Sequence, residues 1–364
     1  MSEPSNPGGI AMWWPNVRPR DWTWTGPSSQ ALKFHRSLAG YQPTALIDLP
    51  SAADELGVAR VVAKDESMRL GLPAFKALGA SWAIHRVLAE RESNSPATIV
   101  TATDGNHGRA VARFARLLGH RSVIVIPDGV HPSAVQAIRD EGGDVRVLSG
   151  SYDHAVAAAA ELAQTPDAIL VQDTAWPGYE EIPGWIVEGY ATLFAEADQQ
   201  LRDLGSDSVS AVFVPTGVGS LLQAALSHYR SSGTGSTAVV SVEPTAAACV
   251  APSLMAGEPV TVKTGSTVLS GLNCGTPSML AWPFIRDGLD GAVAISDADA
   301  ITAARELADL GVAAGPCGGS GLAAARDVLT GPGSDERRAH LGVDSSSTVL
   351  LVITEGSDAN PLPE

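Results

Sequence analysis

Lys76 lies in the stretch RLGLPAFKALG, residues 69–79, among apolar neighbours and where a helix begins. The chain holds only four lysines, Lys33, Lys64, Lys76 and Lys263, so general composition does not account for one here. Apolar surroundings lower an amine's pKa because desolvation disfavours the ammonium, and the neutral amine is the nucleophile that forms Schiff bases with carbonyl compounds. The positive end of a helix acts in the same direction. A snorkelling lysine on a first helical turn is the alternative. Lys64 stands in KDES, beside acidic residues that would keep it charged.

Three further stretches carry chemistry of their own. In TATDGNHGRA, residues 101–110, a polar turn between a strand and a helix offers Asp104, Asn106 and His107 together. Asn can donate to a phenolic oxygen and Asp can take a proton; an ordinary helix cap at Asp104 or Asn106 is the other possibility. In ILVQDTAWPGYEEIPGW, residues 169–185, Asp173 ends an apolar strand and is followed by Trp176, Tyr179 and Trp185. Core packing accounts for any single aromatic, but several beside Pro177, Gly178, Pro183 and Gly184 suggest the wall of a small pocket. A carboxylate in such a wall is expected to have its pKa raised toward neutrality, which suits proton transfer. In VFVPTGVGSLLQAAL, residues 212–226, a strand runs through Gly217, Val218 and Gly219 into a helix. Backbone N–H groups there can approach an anion at a helix amino terminus. A purely structural turn is the alternative. The stretch is neither a Walker loop nor G-x-G-x-x-G, which disfavours a dinucleotide.

The elements that must position these residues alternate. ARVVAKD (59–65), ATIVTAT (97–103), RSVIVIP (121–127), DVRVLS (144–149) and AILVQDT (168–174) predict buried strands. So do AVFVPTG (211–217), AVVSVEP (238–244), GAVAISD (291–297) and TVLLVITEG (348–356). Helices are predicted over 105–119 and 132–143, each closing on glycine, and over 219–230, 246–256, 297–310 and 319–329. GPGSDERRAH, residues 331–340, reads as a surface loop. Alternation of this kind predicts an α/β fold with parallel sheets flanked by helices, and ligands bound beyond the carboxyl ends of the strands.

At 364 residues the chain is long enough for two domains. A formal charge of −16 argues against a nucleic-acid partner but not against a phosphorylated small molecule in a local pocket. Cys249, Cys274 and Cys317 are too widely spaced for a disulfide framework or a zinc site, so no metal is expected. The opening MSEPSNPGGIAMWW lacks the features of a signal peptide, and no apolar run approaches the ~18 residues of a membrane span. A soluble cytoplasmic protein with no membrane association is the expectation.

Together these segments resemble the fold-type II pyridoxal-phosphate enzymes, the tryptophan synthase β family, and within it more closely the diaminopropionate ammonia-lyases. KDESMRLGLPAFKALGASWAI is similar to that family's lysine segment. TATDGNHGRAVA, VQDTAWPGYEEIPGWIVEGYATL, SVEP, LSGLNCGTPS and VITEG follow in the family's order, over nearly the whole chain after the first thirty residues. Sister dehydratases carry serine where Asp104 stands.

The resemblance implies a two-domain fold, a larger domain from residues 1–94 plus 196–364 and a smaller one from 95–195, and a homodimer. It implies that Lys76 holds pyridoxal 5'-phosphate as a Schiff base and that Asn106 contacts the cofactor's 3' oxygen. Gly217, Val218 and Gly219 would cradle its phosphate through their backbone, and Thr354 would offer a hydroxyl to the pyridine nitrogen. The implied reaction is α,β-elimination of ammonia from 2,3-diaminopropionate, a small-molecule amino-acid substrate, giving pyruvate and a second ammonia. Asp104 would take the α-proton of the D-isomer and Asp173 that of the L-isomer. A serine or threonine dehydratase, or a related lyase acting on another β-substituted amino acid, is the alternative. Two departures stand out. AAGPCGGSGLAAA (313–325) places Pro316 and Cys317 where the family has a Gly-Glu-Ser-Gly type stretch, and Cys317 is expected as a buried small residue, with a place in the site as the alternative. The chain also ends at SDANPLPE, shorter than the family leads one to expect.

Overall fold

The computed structural model describes residues 12–16, 22–26, 30–93, 95–103, 105–205, 208–231 and 237–363, without the side chain of Asp153. In chain order the strands are β1 (Met12–Pro15), β2 (Leu46–Asp48), β3 (Arg60–Asp65), β4 (Thr98–Ala102), β5 (Arg121–Pro127) and β6 (Asp144–Leu148). β7 (Ala168–Leu170), β8 (Ala211–Pro215), β9 (Ala238–Pro244), β10 (Gly291–Ile295) and β11 (Thr348–Ile353) complete them. The helices are α1 (Ala31–Ser37), α2 (Pro50–Leu56), α3 (Lys76–Ala89), α4 (Asn106–Leu117), α5 (Pro132–Asp140), α6 (Tyr152–Leu162) and α7 (Glu181–Asp203). They continue with α8 (Ser220–Tyr229), α9 (Val250–Ala256), α10 (Trp282–Gly288), α11 (Asp297–Asp309), α12 (Pro316–Thr330) and α13 (Ser334–Leu341).

The strands form two sheets. The larger runs β1-β10-β9-β8-β11-β3-β2 and the smaller β6-β5-β4-β7. Strands such as AVFVP and TVLLVI are buried along their whole length because helices cover both faces of a parallel sheet. The smaller sheet is parallel throughout. The larger is parallel only in its interior, since β1 and β2 pair antiparallel at its two edges. Those short edge strands correct the expectation of parallel pairing throughout.

Three segments differ from the sequence-based expectation for local reasons. β7 stops at Leu170 instead of running to 174, because the Gln172 side chain takes over the ladder: its Oε1 accepts from Ala102 N–H at 2.9 Å and Thr101 Oγ1 at 3.0 Å. Asp173 is thereby released from the strand. α13 occupies residues expected to be loop; Asp335 and Glu336 in its first turn and Arg338 and His340 in its last suit the helix dipole. α12 starts at Pro316, where a missing N–H costs nothing, rather than at 319.

The 23-residue α7 lies against α3 at very short range. A Cβ at Gly189 would fall 2.6 Å from the Leu78 carbonyl oxygen, and one at Gly79 would fall 2.5 Å from Tyr190 Cε1. Small residues at these positions let the two helices touch through their backbones and fix where α3 begins. Among the described residues no helix is long and apolar enough to cross a membrane.

Candidate active site

Lys76 is the first residue of α3, and its Nζ donates to Asp173 Oδ2 at 2.7 Å. The pair sits in a cleft of about 930 Å³ at the carboxyl ends of β4, β8 and β11, also lined by Asn106, Gly217, Val218, Gly219 and Thr354. The candidate residues therefore converge on one place, as strand ends of parallel sheets should. Asp104 lies outside the described residues.

The electrostatics reverse two expectations. Burial pushes the Lys76 amine down, but the charge of Asp173 and the hydrogen bond to it outweigh burial, and the pKa ends above its ordinary value. Lys76 is thus an ammonium here, not a pre-formed neutral amine. Burial likewise pushes Asp173 up, yet the Lys76 charge, with His107 behind it, pulls the carboxyl down to about 2. Two oppositely charged groups at contact distance stabilise each other's charged form more than desolvation penalises either.

The expected aromatic wall is also corrected. Trp176, Tyr179 and Trp185 are absent from the cleft lining. Tyr179 instead braces the backbone past β7, its hydroxyl accepting from Gln172 N–H at 2.8 Å and donating to Leu170 O at 3.0 Å, while Trp176 stacks on its ring. Trp185 is buried in α7, under the Arg86 guanidinium. The rings that do flank Lys76 Nζ are Phe75 and Tyr190, at 5.3 and 5.8 Å to their centroids. Lys64 departs as well: it is buried within β3, burial draws its pKa down, and it pairs at 2.7 Å with the distant Glu196.

Around α4 the capping group is Thr103, whose Oγ1 accepts from Gly105 N–H at 3.0 Å and Gly108 N–H at 3.1 Å. Asn106 does not cap; its Nδ2 donates to Glu355 Oε2 at 2.8 Å. His107 Nε2 meets Val171 O at 2.8 Å, so that nitrogen carries the hydrogen, and Nδ1 lies 4.0 Å from Asp173 Oδ2 without a hydrogen-bond partner among the described residues. At the glycine turn Gly219 has a φ of +99°, and a Cβ on Gly217 would meet Gly271 O at 3.0 Å and Cys274 Sγ at 3.1 Å. The turn leads into α8, whose first-turn amides lack partners within the helix. Ser220 Oγ donates to the Asp173 carbonyl at 2.9 Å, tying the turn to the carboxylate's own backbone. Cys317 is both buried and part of the cleft, so the two alternatives for it coincide.

Sequence reasoning gave no role to Glu355, Ser220, Thr103 or Tyr190. The signal for Glu355 was an acidic residue just past a fully apolar strand; the other three carry none beyond their place.

The residues present fit pyridoxal phosphate. The cleft holds a lysine that, once deprotonated, can take its aldehyde, and a glycine turn at a helix amino terminus that suits its phosphate. Thr354 Oγ1, on a residue only 4% exposed, has no hydrogen-bond partner among the described residues. A buried hydroxyl left unpaired is costly and marks a place where a ligand atom belongs.

Comparison with known proteins agrees. Residues 38–355 match the family described as pyridoxal-phosphate dependent enzyme. A diaminopropionate ammonia-lyase of Salmonella typhimurium is 35% identical over 91% of this chain and 89% of its own length. The crystal structure of the Escherichia coli diaminopropionate ammonia-lyase in complex with an aminoacrylate-PLP azomethine reaction intermediate superposes with a TM-score of 0.86 at 33% identity, covering 96% of this chain and 94% of that one. Its complex with D-serine superposes with a TM-score of 0.88 at 32% identity, covering 96% and 95%. The chain belongs to the pyridoxal-phosphate dependent enzymes of fold type II, in the diaminopropionate ammonia-lyase family.

Proposed function

We propose that this protein is a lyase that eliminates ammonia from 2,3-diaminopropionate, releasing pyruvate and a second ammonia. The observation that carries this is the Lys76–Asp173 pair, 2.7 Å apart, beside the glycine turn and the unpaired Thr354 hydroxyl. Pyridoxal phosphate, when bound, withdraws electrons from the substrate's Cα and makes the α-proton removable. Lys76 would hold it covalently, the backbone of Gly217, Val218 and Gly219 would hold its phosphate, and Asn106 and Thr354 would offer hydrogen bonds to its 3' oxygen and pyridine nitrogen.

Asp173 keeps Lys76 charged and in place. When Lys76 is neutral, burial becomes the dominant influence on Asp173 and pushes the carboxyl upward, toward the range a general base needs. Asp173 then accepts the α-proton of the L-isomer, and Asp104 serves the D-isomer. The Lys76 amine, once released, relays the proton that Asp173 has accepted to a neutral β-amino group, whereas a β-ammonium departs as ammonia without one. A pair of carboxylates also suits a substrate bearing a β-ammonium, which a hydroxy amino acid lacks.

The same proposal includes a homodimer, a cytoplasmic location, and residues 95–195 as a smaller domain inserted into 1–94 plus 196–364. The smaller sheet, drawn from residues 98–170, supports that division. Incubation with D- and L-diaminopropionate, serine, threonine and O-acetylserine, scored for pyruvate or 2-oxobutyrate, tests the function. Turnover of a diaminopropionate isomer well above the others is expected, and activity confined to hydroxy amino acids would reject it.

A further inference from the structure

Glu355 follows Thr354 past the end of β11, is 4% exposed and lines the cleft. Its two oxygens take hydrogen bonds from two asparagine amides: Oε2 from Asn106 Nδ2 at 2.8 Å and Oε1 from Asn360 Nδ2 at 3.2 Å. The Cys317 thiol is a third hydrogen-bonding neighbour. Asn360 is anchored in turn, since its Nδ2 also donates to Val268 O at 2.9 Å. The backbone is equally held. Glu355 bridges to Ala74, its carbonyl accepts from Gly315 N–H at 3.0 Å, and Gly356 N–H donates to Pro73 O at 3.0 Å. A Cβ on Gly315 would come within 3.3 Å of Glu355 Cγ, so the glycine leaves room for this side chain.

Among the described residues no cation pairs with Glu355, and burial raises its pKa. A buried carboxylate without a counter-ion is a costly choice where a glutamine has the same shape. The difference lies in what each can accept. A carboxylate accepts at both oxygens, whereas glutamine would set its own NH₂ group against one of the two asparagine amides, donor against donor. An acceptor-only partner also decides which way round Asn106 lies. Nδ2 must face Glu355, which uses one of its hydrogens and leaves the other free for the cleft.

We propose that Glu355 is a positioning residue that holds the Asn106 amide so that its second N–H is presented to the ring oxygen of bound pyridoxal phosphate. The same bond fastens the start of α4, on the smaller sheet, to the end of β11 on the larger. This rests on the assignment of Asn106 as the 3'-oxygen contact. Glu355→Gln turns the Asn106 amide or breaks its bond, and either change removes the donor from the ring.

The test titrates pyridoxal phosphate into apoprotein of the wild type, Glu355→Gln, Asn106→Ala and the double variant. Affinity and the absorption maximum of the bound cofactor are followed, with thermal unfolding of each apoprotein alongside. Glu355→Gln is expected to weaken binding roughly tenfold or more and to shift the absorption maximum in the same direction as Asn106→Ala. The double variant is expected to bind no more weakly than Asn106→Ala alone, since the two act as one unit. Unchanged affinity and spectrum in Glu355→Gln, or losses that add in the double variant, overturn the proposal. Should Glu355→Gln fail to fold, Glu355→Asp keeps both acceptors but draws them back: weaker binding with the spectral shift supports the proposal, and wild-type binding overturns it. If Asn106→Ala binds like wild type, the proposal falls while the lyase function, scored by pyruvate release from the wild type, stands apart.

Discussion

Asp173 and Lys76 each move the other's titration in the direction that keeps both charged, and that mutual hold governs what single substitutions do. In Asp173→Asn the amine loses the largest charge that raised its pKa, burial remains, and the pKa falls. Under the proposed roles this variant loses turnover of L-diaminopropionate on the order of 10²–10⁴-fold while the D-isomer, served by Asp104, is still processed. Equal losses for both isomers would show that the two carboxylates do not divide the work. A different carboxylate, Glu243, makes the pH prediction. It is buried at the end of β9, its Oε1 accepts N–H groups of Cys249 at 2.8 Å and Val250 at 3.0 Å, and burial pushes its pKa up to about 7 from an ordinary 4.5. The folded chain therefore holds this proton more tightly than the unfolded one. The associated stability is full below 4.5 and is lost as pH rises through about 7. Glu243→Gln should flatten the stability profile over that interval in denaturant titrations, and an unchanged slope would refute the assignment.

At the scale of elements, the contact of α3 with α7 decides where the lysine stands. Gly189→Ala would drive a methyl group against the Leu78 carbonyl, a backbone atom that cannot rotate away. The helices must part, at a cost of about 1–3 kcal/mol, and Lys76 moves with the first turn of α3. The expected outcome is a lower unfolding midpoint together with weaker cofactor binding; wild-type values of both would contradict it. Much of this layer was legible beforehand. Strands over 121–127 and 238–244 have the predicted bounds, because long apolar runs between turns leave little choice. α7 was hidden by Pro183 and Gly184, which lie in its first turn, where a missing N–H leaves no helical bond unmade. α13 was hidden because its sequence, SDERRAHL, buries only Leu341.

Across the whole molecule, a buried charge network ties the loop before Lys76 to the length of α7. Glu196 accepts from Lys64 Nζ at 2.7 Å and from Arg69 at 2.7 and 2.8 Å, and receives the Tyr41 hydroxyl at 2.6 Å. Lys64 and Arg69 are fully buried, so Glu196→Ala leaves Lys64 without its carboxylate partner and Arg69 with Glu66 alone. A loss of about 3–5 kcal/mol is expected in guanidinium unfolding. Removing Asp144 from its exposed pair with Arg146 should cost about 1 kcal/mol or less, and provides the control. Comparable small effects at both sites would mean that Glu196 is not the hub.

The amino-acid sequence by itself determined which residues are candidates for chemistry, because most of them end a strand or open a helix within their own short segment. Lys76, Asn106, Asp173 and Gly217 to Gly219 are readable in this way, and so is the family likeness their order creates, which is what brought in Thr354. Tertiary structure alone decided their partners and their charges. Lys76 and Asp173 are 97 residues apart, and Asn106 and Glu355 are 249 apart. No local pattern encodes such distances. A titrating group responds to the nearest charge and to the depth of burial, and packing the chain around two sheets sets both.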